Sequence, residues 1–177
     1  MKKIITPLTN DVVRSLKAGD EVAVSGVVYT ARDAAHKRLC EIIEQGGNLP
    51  IPLEGQIIYF VGPTPARPGK VIGSAGPTTS ARMDKFSPIL LAAGLKGMIG
   101  KGYRSPAVRE SLKINCAVHF AALGGAGALL SQYIVSAEVV AYEDLGTEAI
   151  RKLVLKDFPA IVAYDCYGNS VFNKVNK

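Results

Sequence analysis

The chain has 177 residues, of which 48% are hydrophobic and 20% charged, the usage of a folded globular domain rather than a disordered segment. The formal net charge is +6, but the lysines and arginines form no basic tract, so the charge does not indicate nucleic-acid binding and equally suits a small anion or an acidic partner. No apolar run approaches the roughly 20 residues of a membrane span, and the apolar stretch after Lys2 and Lys3 is too short for a secretion signal, so we expect one cytoplasmic domain over residues 1–177.

The first half of the chain predicts a strand followed by a well-marked helix. Residues 21–30 are rich in valine and follow a turn, which indicates a strand. Residues 30–47 have the apolar spacing of an amphipathic helix, with Thr30 and Asp33 at capping-box spacing and two glycines at the end. Two more strands are predicted at 56–62 and 70–76.

The second half alternates short helices and strands. Pro88 can begin a helix that ends at Gly94, and Ser105 can cap another over residues 105–113. The remaining predicted elements are strands at 97–102, 115–123 and 136–145, a glycine-led helix at 124–134, and a hairpin at 158–172 around Gly168 and Asn169. The pattern predicts a single α/β domain with a mixed sheet and short flanking helices.

Arg32 is the first candidate site residue. It falls at the start of the predicted helix, where backbone amides are unpaired and the helix dipole is positive. A cation is out of place there unless it meets an anion; the alternative is a surface arginine paired with Asp33 or Glu41. His36 lies one turn later and is interpreted as a packing residue.

The segment "GSAGPTTSAR", residues 73–82, is the second candidate. Its glycines let the chain leave a strand sharply, and Thr78 and Thr79 offer hydroxyls within a turn of Arg82. No lysine precedes the hydroxyls as a nucleotide-binding P-loop requires, so we expect a small anion rather than a nucleotide. A capped turn without a ligand remains the alternative.

Two further glycine clusters lie around Lys101 and at residues 124–127. Lys101 lies between two glycines, where its ammonium can reach a ligand, although a plain hairpin turn explains the pattern equally well. Gly125 and Gly127 match the first two positions of a dinucleotide fingerprint, but the third is Leu130, which argues against nicotinamide binding. Close backbone packing or a subunit contact is the preferred interpretation of that cluster.

Strong catalytic and metal-binding patterns are lacking in the sequence. Cys40, Cys116 and Cys166 are widely spaced and are interpreted as buried structural thiols rather than metal ligands. There are only two histidines, and His119 lies within an apolar run that indicates a core position. Groups suited to an anion, without an evident acid–base pair or metal site, predict half an active site that a partner completes.

The same residues carry a family resemblance over nearly the whole chain. The segments are "SGVVYTARDAAHKRL", "GPTTSARMDKFSPILLAAGLKGMIGKG", "FAALGGAGALLS" and "EVVAYEDLGTEAIRKLVLKDFPAIVAYDCYGN". They resemble the β subunit, or C-terminal domain, of class I iron–sulfur hydro-lyases, which comprise class I fumarate hydratase and L(+)-tartrate dehydratase. The resemblance implies a swivelling β/β/α-type domain that works with a separate α subunit.

The resemblance also implies a chemistry. The α subunit holds a [4Fe-4S] cluster through its own cysteines, and this chain supplies none of the ligands. Thr78 is the proposed base of the addition–elimination. The residues assigned to substrate carboxylates are Arg32, Thr79, Arg82 and Lys101. The expected reaction is hydration of fumarate to (S)-malate by the αβ assembly, with tartrate dehydration as one alternative and a stand-alone anion-binding module without catalysis as another.

Overall fold

In the described part of the chain, residues 1–123 and 127–174 of a computed structural model, seven strands form one mixed sheet around which short helices pack. The strands are β1 Lys2–Ile5, β2 Glu21–Thr30, β3 Ile57–Tyr59, β4 Gly97–Gly100, β5 Val118–Ala122, β6 Ile134–Ala141 and β7 Ile150–Tyr164. The helices are α1 Asn10–Ser15, α2 Asp33–Glu44, α3 Ser87–Ala92, α4 Pro106–Ile114 and α5 Gly127–Leu130, with 3₁₀ helices at Ser80–Met83, Ser131–Tyr133, Glu143–Glu148 and Val171–Lys174.

The sheet closes into a ring. Its order is β1-β2-β3-β4-β5-β7-β6, and β2 pairs additionally with β7, so β2, β3, β4, β5 and β7 form a closed circuit. Strands β2 to β5 are parallel to one another, whereas β7 runs antiparallel to β2, β5 and β6. The 15 residues of β7 make this possible, because its first half pairs with β6 and its second half with β5.

Two hydrophobic clusters lie on the two faces of the ring. One fills the interior with fully buried side chains such as Tyr59, Phe120 and Phe158. The other lies between the ring and helices α2, α3 and α4 and includes Phe60 and Leu39. Consecutive residues Tyr59 and Phe60 enter different clusters because successive side chains of a strand point to opposite faces. Burial of each such side chain contributes about 1.5–3 kcal/mol to the stability of the fold.

The predicted fold class is confirmed, as are most of its elements. The strand at 21–30 has the predicted bounds, and Ser105 caps α4 by accepting a hydrogen bond from the Val108 amide at 3.3 Å. Helix α2 begins later than predicted because Thr30 is still part of β2. The Thr30 hydroxyl accepts a hydrogen bond from the Arg151 amide at 3.0 Å, and Arg32 is the N-cap residue of α2 instead.

Other predictions were wrong or incomplete. Residues 70–76 do not form a strand but an irregular segment, and β1 and α1 were not predicted. The terminal hairpin shrinks to one bridge between Tyr164 and Ser170, because most of the segment belongs to β7. Part of the glycine cluster, residues 124–126, lies outside the described residues. None of the helices in residues 1–123 and 127–174 has the length and apolar character of a membrane span.

Candidate active site

The predicted site residues lie at the carboxyl ends of the parallel strands. Arg32 follows β2, and Lys101 follows β4. Residues 74–84, hereafter the threonine loop, cross the same edge. The Thr78 amide donates to the Phe60 carbonyl at 2.7 Å just beyond β3, and Thr79 forms a parallel bridge with Lys101 just beyond β4. Parallel strands end at one edge of a sheet, so residues far apart in the sequence meet there.

Arg32 is held against the backbone that follows β3. An added Cβ at Gly62 would lie 2.9 Å from both Cδ and Nη1 of Arg32, so the guanidinium stem occupies the space that a side chain would take there. The Arg32 Nε atom is buried and has no hydrogen-bond partner among the described residues. A buried donor without an acceptor is unfavourable. An anionic oxygen would satisfy it.

Arg82 connects the threonine loop to helix α2. Its Nη2 atom forms an ion pair with the Asp33 carboxylate in the first turn of α2. Asp33 therefore pairs with Arg82 and not with Arg32, so the alternative prediction of an Arg32–Asp33 pair was wrong. The Arg82 side chain is 51% exposed and that of Asp33 33%. An exposed pair of this kind contributes about 0–1 kcal/mol, so the guanidinium can also bind a second anion.

The remaining predicted residues are open to solvent. Lys101 and Thr79 are exposed, and Thr78 is half-buried. Within the described residues, neither threonine hydroxyl makes a hydrogen bond and Lys101 forms no ion pair. The edge thus combines three cationic side chains and two available hydroxyls with the Asp33 carboxylate. The Glu148 carboxylate also lies at the start of α2, where it accepts a hydrogen bond from the Ala34 amide at 3.5 Å. Such a surface has a positive potential that attracts small anions.

A buried polar network that sequence reasoning missed lies beneath the threonine loop. The side chain of Arg104 is completely buried, and its Nε donates to Oδ1 of Asp84 at 2.7 Å. Its two Nη atoms donate to Ser87 Oγ at 2.5 Å and to His119 Nδ1 at 3.2 Å. His119 Nε2 in turn lies 3.3 Å from Ser80 Oγ. No local pattern predicts this network because Arg104 lies 20 residues from Asp84 in the chain.

Both histidines are buried packing residues, as predicted. His36 and His119 both pack near Phe60, with ring centroids 5.3 Å and 6.1 Å from that of Phe60. Burial lowers the pKa of His36 to about 4, partly offset by the Arg32 carbonyl, which accepts a hydrogen bond from Nδ1 at 2.7 Å. Burial, together with the neighbouring Arg104 charge, lowers the pKa of His119 well below its ordinary value. Both rings are therefore neutral at physiological pH.

The cysteines are separate from this edge. Cys40 is buried, as predicted, and burial raises the pKa of its thiol to about 11. Cys116 and Cys166 are only half-buried, so the prediction of burial was wrong for these two. Among residues 1–123 and 127–174, no three histidine, cysteine or acidic side chains are grouped as a metal site would require. The residues that the structure describes do not fit an iron–sulfur cluster.

A shallow groove lies elsewhere on the ring. It has a volume of about 120 Å³, and its walls are the proline-rich loop around Pro63 and Pro65, the outer strand β6, and Arg151. None of the five predicted site residues lines it. The guanidinium of Arg151 donates to the carbonyls of Gly146 and Thr147, each at 3.2 Å, and is thus already engaged. The cationic edge therefore remains the better candidate site.

The fold and the edge together define a class: a small α/β ring domain with an open, cationic edge suited to an anion. Comparison with known proteins identifies the family of the chain. It belongs to the family described as Fumarase C-terminus, whose model matches residues 2–175. This confirms the resemblance seen in the sequence.

The relatives fall into two kinds. The chain is 34% identical over 177 residues to "Fumarate hydratase class I, anaerobic" of Escherichia coli strain K12, covering 99% of this chain but 31% of that protein. It is 36% identical over 183 residues to a Methanocaldococcus jannaschii protein provisionally named L(+)-tartrate dehydratase subunit beta, covering 100% of this chain and 94% of the relative. The chain thus spans about a third of the fumarate hydratases that it matches and nearly all of the tartrate dehydratase subunit.

Proposed function

We propose that this chain is the β subunit of a class I hydro-lyase that interconverts fumarate and (S)-malate together with an α subunit. The observation that carries the proposal is the meeting of Arg32, Arg82 and Lys101 with two threonine hydroxyls at one open edge. Family membership and the names of the fumarate hydratase relatives support the reaction class.

The cations bind the two carboxylates of the substrate. Arginine presents a planar fork that matches a carboxylate, and each charge-assisted hydrogen bond contributes about 1.5–3 kcal/mol. The unpartnered Nε of Arg32 supports this role, because a carboxylate oxygen satisfies it. Lys101 and the Thr79 hydroxyl are adjacent through their backbone bridge and donate to the same substrate group.

Thr78 takes the proton in the elimination direction. Removal of a proton from the carbon next to a carboxylate builds enediolate charge, which the neighbouring cations stabilise. The same cations favour the ionised form of the Thr78 hydroxyl, as a base at neutral pH requires. Its amide bond to Phe60 holds the residue at the end of β3 while its side chain stays half-exposed toward the edge.

An α subunit completes the site. Arg82, Thr79 and Lys101 are exposed in this chain, whereas stabilisation of enediolate charge needs a site from which water is excluded. A second protein surface over this edge supplies that exclusion. We assign the [4Fe-4S] cluster to this α subunit, where it would act as a Lewis acid on the substrate hydroxyl that leaves as water when the C–O bond breaks.

L(+)-tartrate is the second candidate substrate. The relative that matches this chain nearly end to end carries the tartrate dehydratase subunit name, which favours both the two-subunit arrangement and this alternative. A stand-alone anion-binding module is less well supported, because the cations are exposed and a ligand bound to them would remain in contact with solvent. That module would bind its anion tightly without any other chain.

The test is an anaerobic assay of the purified chain, alone and with the α chain encoded by the same genome, against fumarate, (S)-malate and L(+)-tartrate. We expect turnover only in the mixture, and the preferred substrate decides between the two enzymes. Lys101→Ala should abolish most of the turnover of the mixture, whereas Lys70→Ala, at another exposed lysine, should leave the turnover unchanged. Absence of turnover in a mixture with a verified cluster would contradict the proposal, and tight dicarboxylate binding by the chain alone would favour the module.

A further inference from the structure

We propose that Arg104 and His119 are positioning residues for the threonine loop, and that they hold it at its last residue, Asp84, and at Ser80 in its interior. The catalytic consequence rests on the proposed function; the structural role does not. Arg104 binds Asp84 at the end of the loop directly, and it reaches Ser80 in the loop through His119.

The direction of the hydrogen bonds follows from Arg104. A guanidinium only donates, so Nδ1 of His119 must accept the bond from Arg104 Nη1 at 3.2 Å. The proton of the neutral ring is then on Nε2, which donates to Ser80 Oγ at 3.3 Å. Arg104 thus selects the only tautomer of His119 that can bind Ser80 as a donor.

Arg104 itself is fixed from several sides. One carboxylate oxygen of Asp84 accepts a hydrogen bond from Arg104 Nε at 2.7 Å, and the other accepts one from the Ser105 amide at 2.9 Å. The Arg104 amide donates to the Tyr164 hydroxyl at 2.9 Å, and Nη2 donates to Ser87. The guanidinium also lies over the ring of Phe60, 5.3 Å from its centroid. A side chain with so many contacts has little freedom and transmits its position to the loop.

The loop needs this external support because its own structure is weak. Ser80–Met83 is a single 3₁₀ turn, and Thr79 at its N-cap makes no side-chain capping bond. The Ser80 amide donates to the Lys101 carbonyl at 2.8 Å, so the position of Ser80 also sets the register between Thr79 and Lys101. Ser80 is completely buried, whereas its neighbours Thr79 and Arg82 face solvent. Ser80 is therefore the anchor, and the predicted site residues are its exposed neighbours.

The experiment compares Ser80→Ala and His119→Phe with the matched control Ser111→Ala. Ser111 is also a buried serine, but its hydroxyl accepts a hydrogen bond from Asn115 at 3.2 Å and forms none with Arg104. The first measurement is amide hydrogen exchange of Thr78 and Ser80 in the full chain, assembled with its α subunit where the two associate. We expect about tenfold faster exchange in both test variants and no change in the control.

The second measurement is steady-state kinetics of the assembled enzyme. Misplacement of catalytic groups by about 1 Å can cost about 10²-fold in rate, so we expect kcat to fall 10- to 100-fold in Ser80→Ala with a smaller change in KM. The double variant with His119→Phe should lose no more than the worse single variant, because both substitutions remove the same hydrogen bond. Ser111→Ala should keep its kcat.

The outcomes are separable. Unchanged loop exchange in Ser80→Ala, or equal effects in Ser111→Ala, would overturn the positioning role and leave a merely structural network. If His119→Phe does not fold, Ser80→Ala still decides. An assembled wild-type enzyme without hydro-lyase turnover would remove the proposed function, while the exchange measurement would still test how the loop is held.

Discussion

The substitution Gly62→Ala tests whether the position of the Arg32 side chain against residue 62 matters for substrate binding. A new Cβ at this position would lie 2.9 Å from Cδ and Nη1 of Arg32 and 3.1 Å from the Thr147 carbonyl oxygen. The arginine atoms are the far end of a flexible side chain and can move away, whereas the backbone carbonyl needs to give by only a few tenths of an ångström. The variant should therefore fold while its Arg32 guanidinium is displaced.

The expected magnitude follows from these contacts. Carbon atoms pack at about 3.5–4.0 Å, so the guanidinium stem must move by roughly 0.5–1 Å. Loss of a charge-assisted bond to a substrate carboxylate costs about 1.5–3 kcal/mol, which corresponds to a rise in KM of about 10- to 100-fold. The tight contact with Thr147 costs about 1 kcal/mol of stability, or a fall in Tm of about 2–4 °C.

The assay combines KM and kcat of the assembled enzyme with thermal unfolding. Gly76→Ala is the matched control, because its added Cβ would meet the nearest atom at an ordinary 3.5 Å and its backbone is not in the left-handed region. In an Arg32→Ala background, Gly62→Ala should raise KM no further. A normal KM in Gly62→Ala, or an equal rise in Gly76→Ala, would refute the reasoning.

Four further predictions concern the site and its supports. Arg82→Ala should nearly abolish turnover without lowering Tm much, because its ion pair is exposed; near-normal turnover would remove Arg82 from the site. Thr78→Val keeps the side-chain volume but deletes the hydroxyl, so unchanged turnover would exclude it as the base. The pKa of about 4 for His36 lies below the unfolded value of 6.5, so its contribution to stability is complete above pH 6.5 and is lost as the pH falls toward 4, by about 3 kcal/mol. The lowered pKa of His119 changes stability in the same direction. Urea unfolding at pH 7 and pH 4.5 should therefore show a smaller difference in the free energy of unfolding for His36→Gln than for the wild type. An equal difference would contradict the assignment. Conservative replacement of all three cysteines should leave the iron content of the assembled enzyme intact, and loss of iron would contradict assignment of the cluster to the α subunit.

Local patterns in the sequence predicted those parts of the molecule that depend on neighbouring residues. The valine-rich strand at 21–30 and the cap at Ser105 are specified by residues within one or two turns, so propensity and spacing suffice. Candidate residues such as Arg32 and Lys101 were found for a similar reason. Each follows a predictable element, where a cation or an exposed backbone is locally unusual.

Only the tertiary structure decided what depends on distant pairs. Ring closure joins β2 to β7, more than 100 residues later, and it is this pairing that takes Thr30 out of the helix cap. The ion pair of Arg82 with Asp33 spans 49 residues, and the link from Arg104 to Asp84 spans 20. Such pairs have no local signature, because each residue alone reads as an ordinary surface charge. The chain's own sequence thus determined which residue types are available to bind an anion. The parallel pairing of β2, β3 and β4 brings them to one edge, where Arg104 contacts the threonine loop through Asp84.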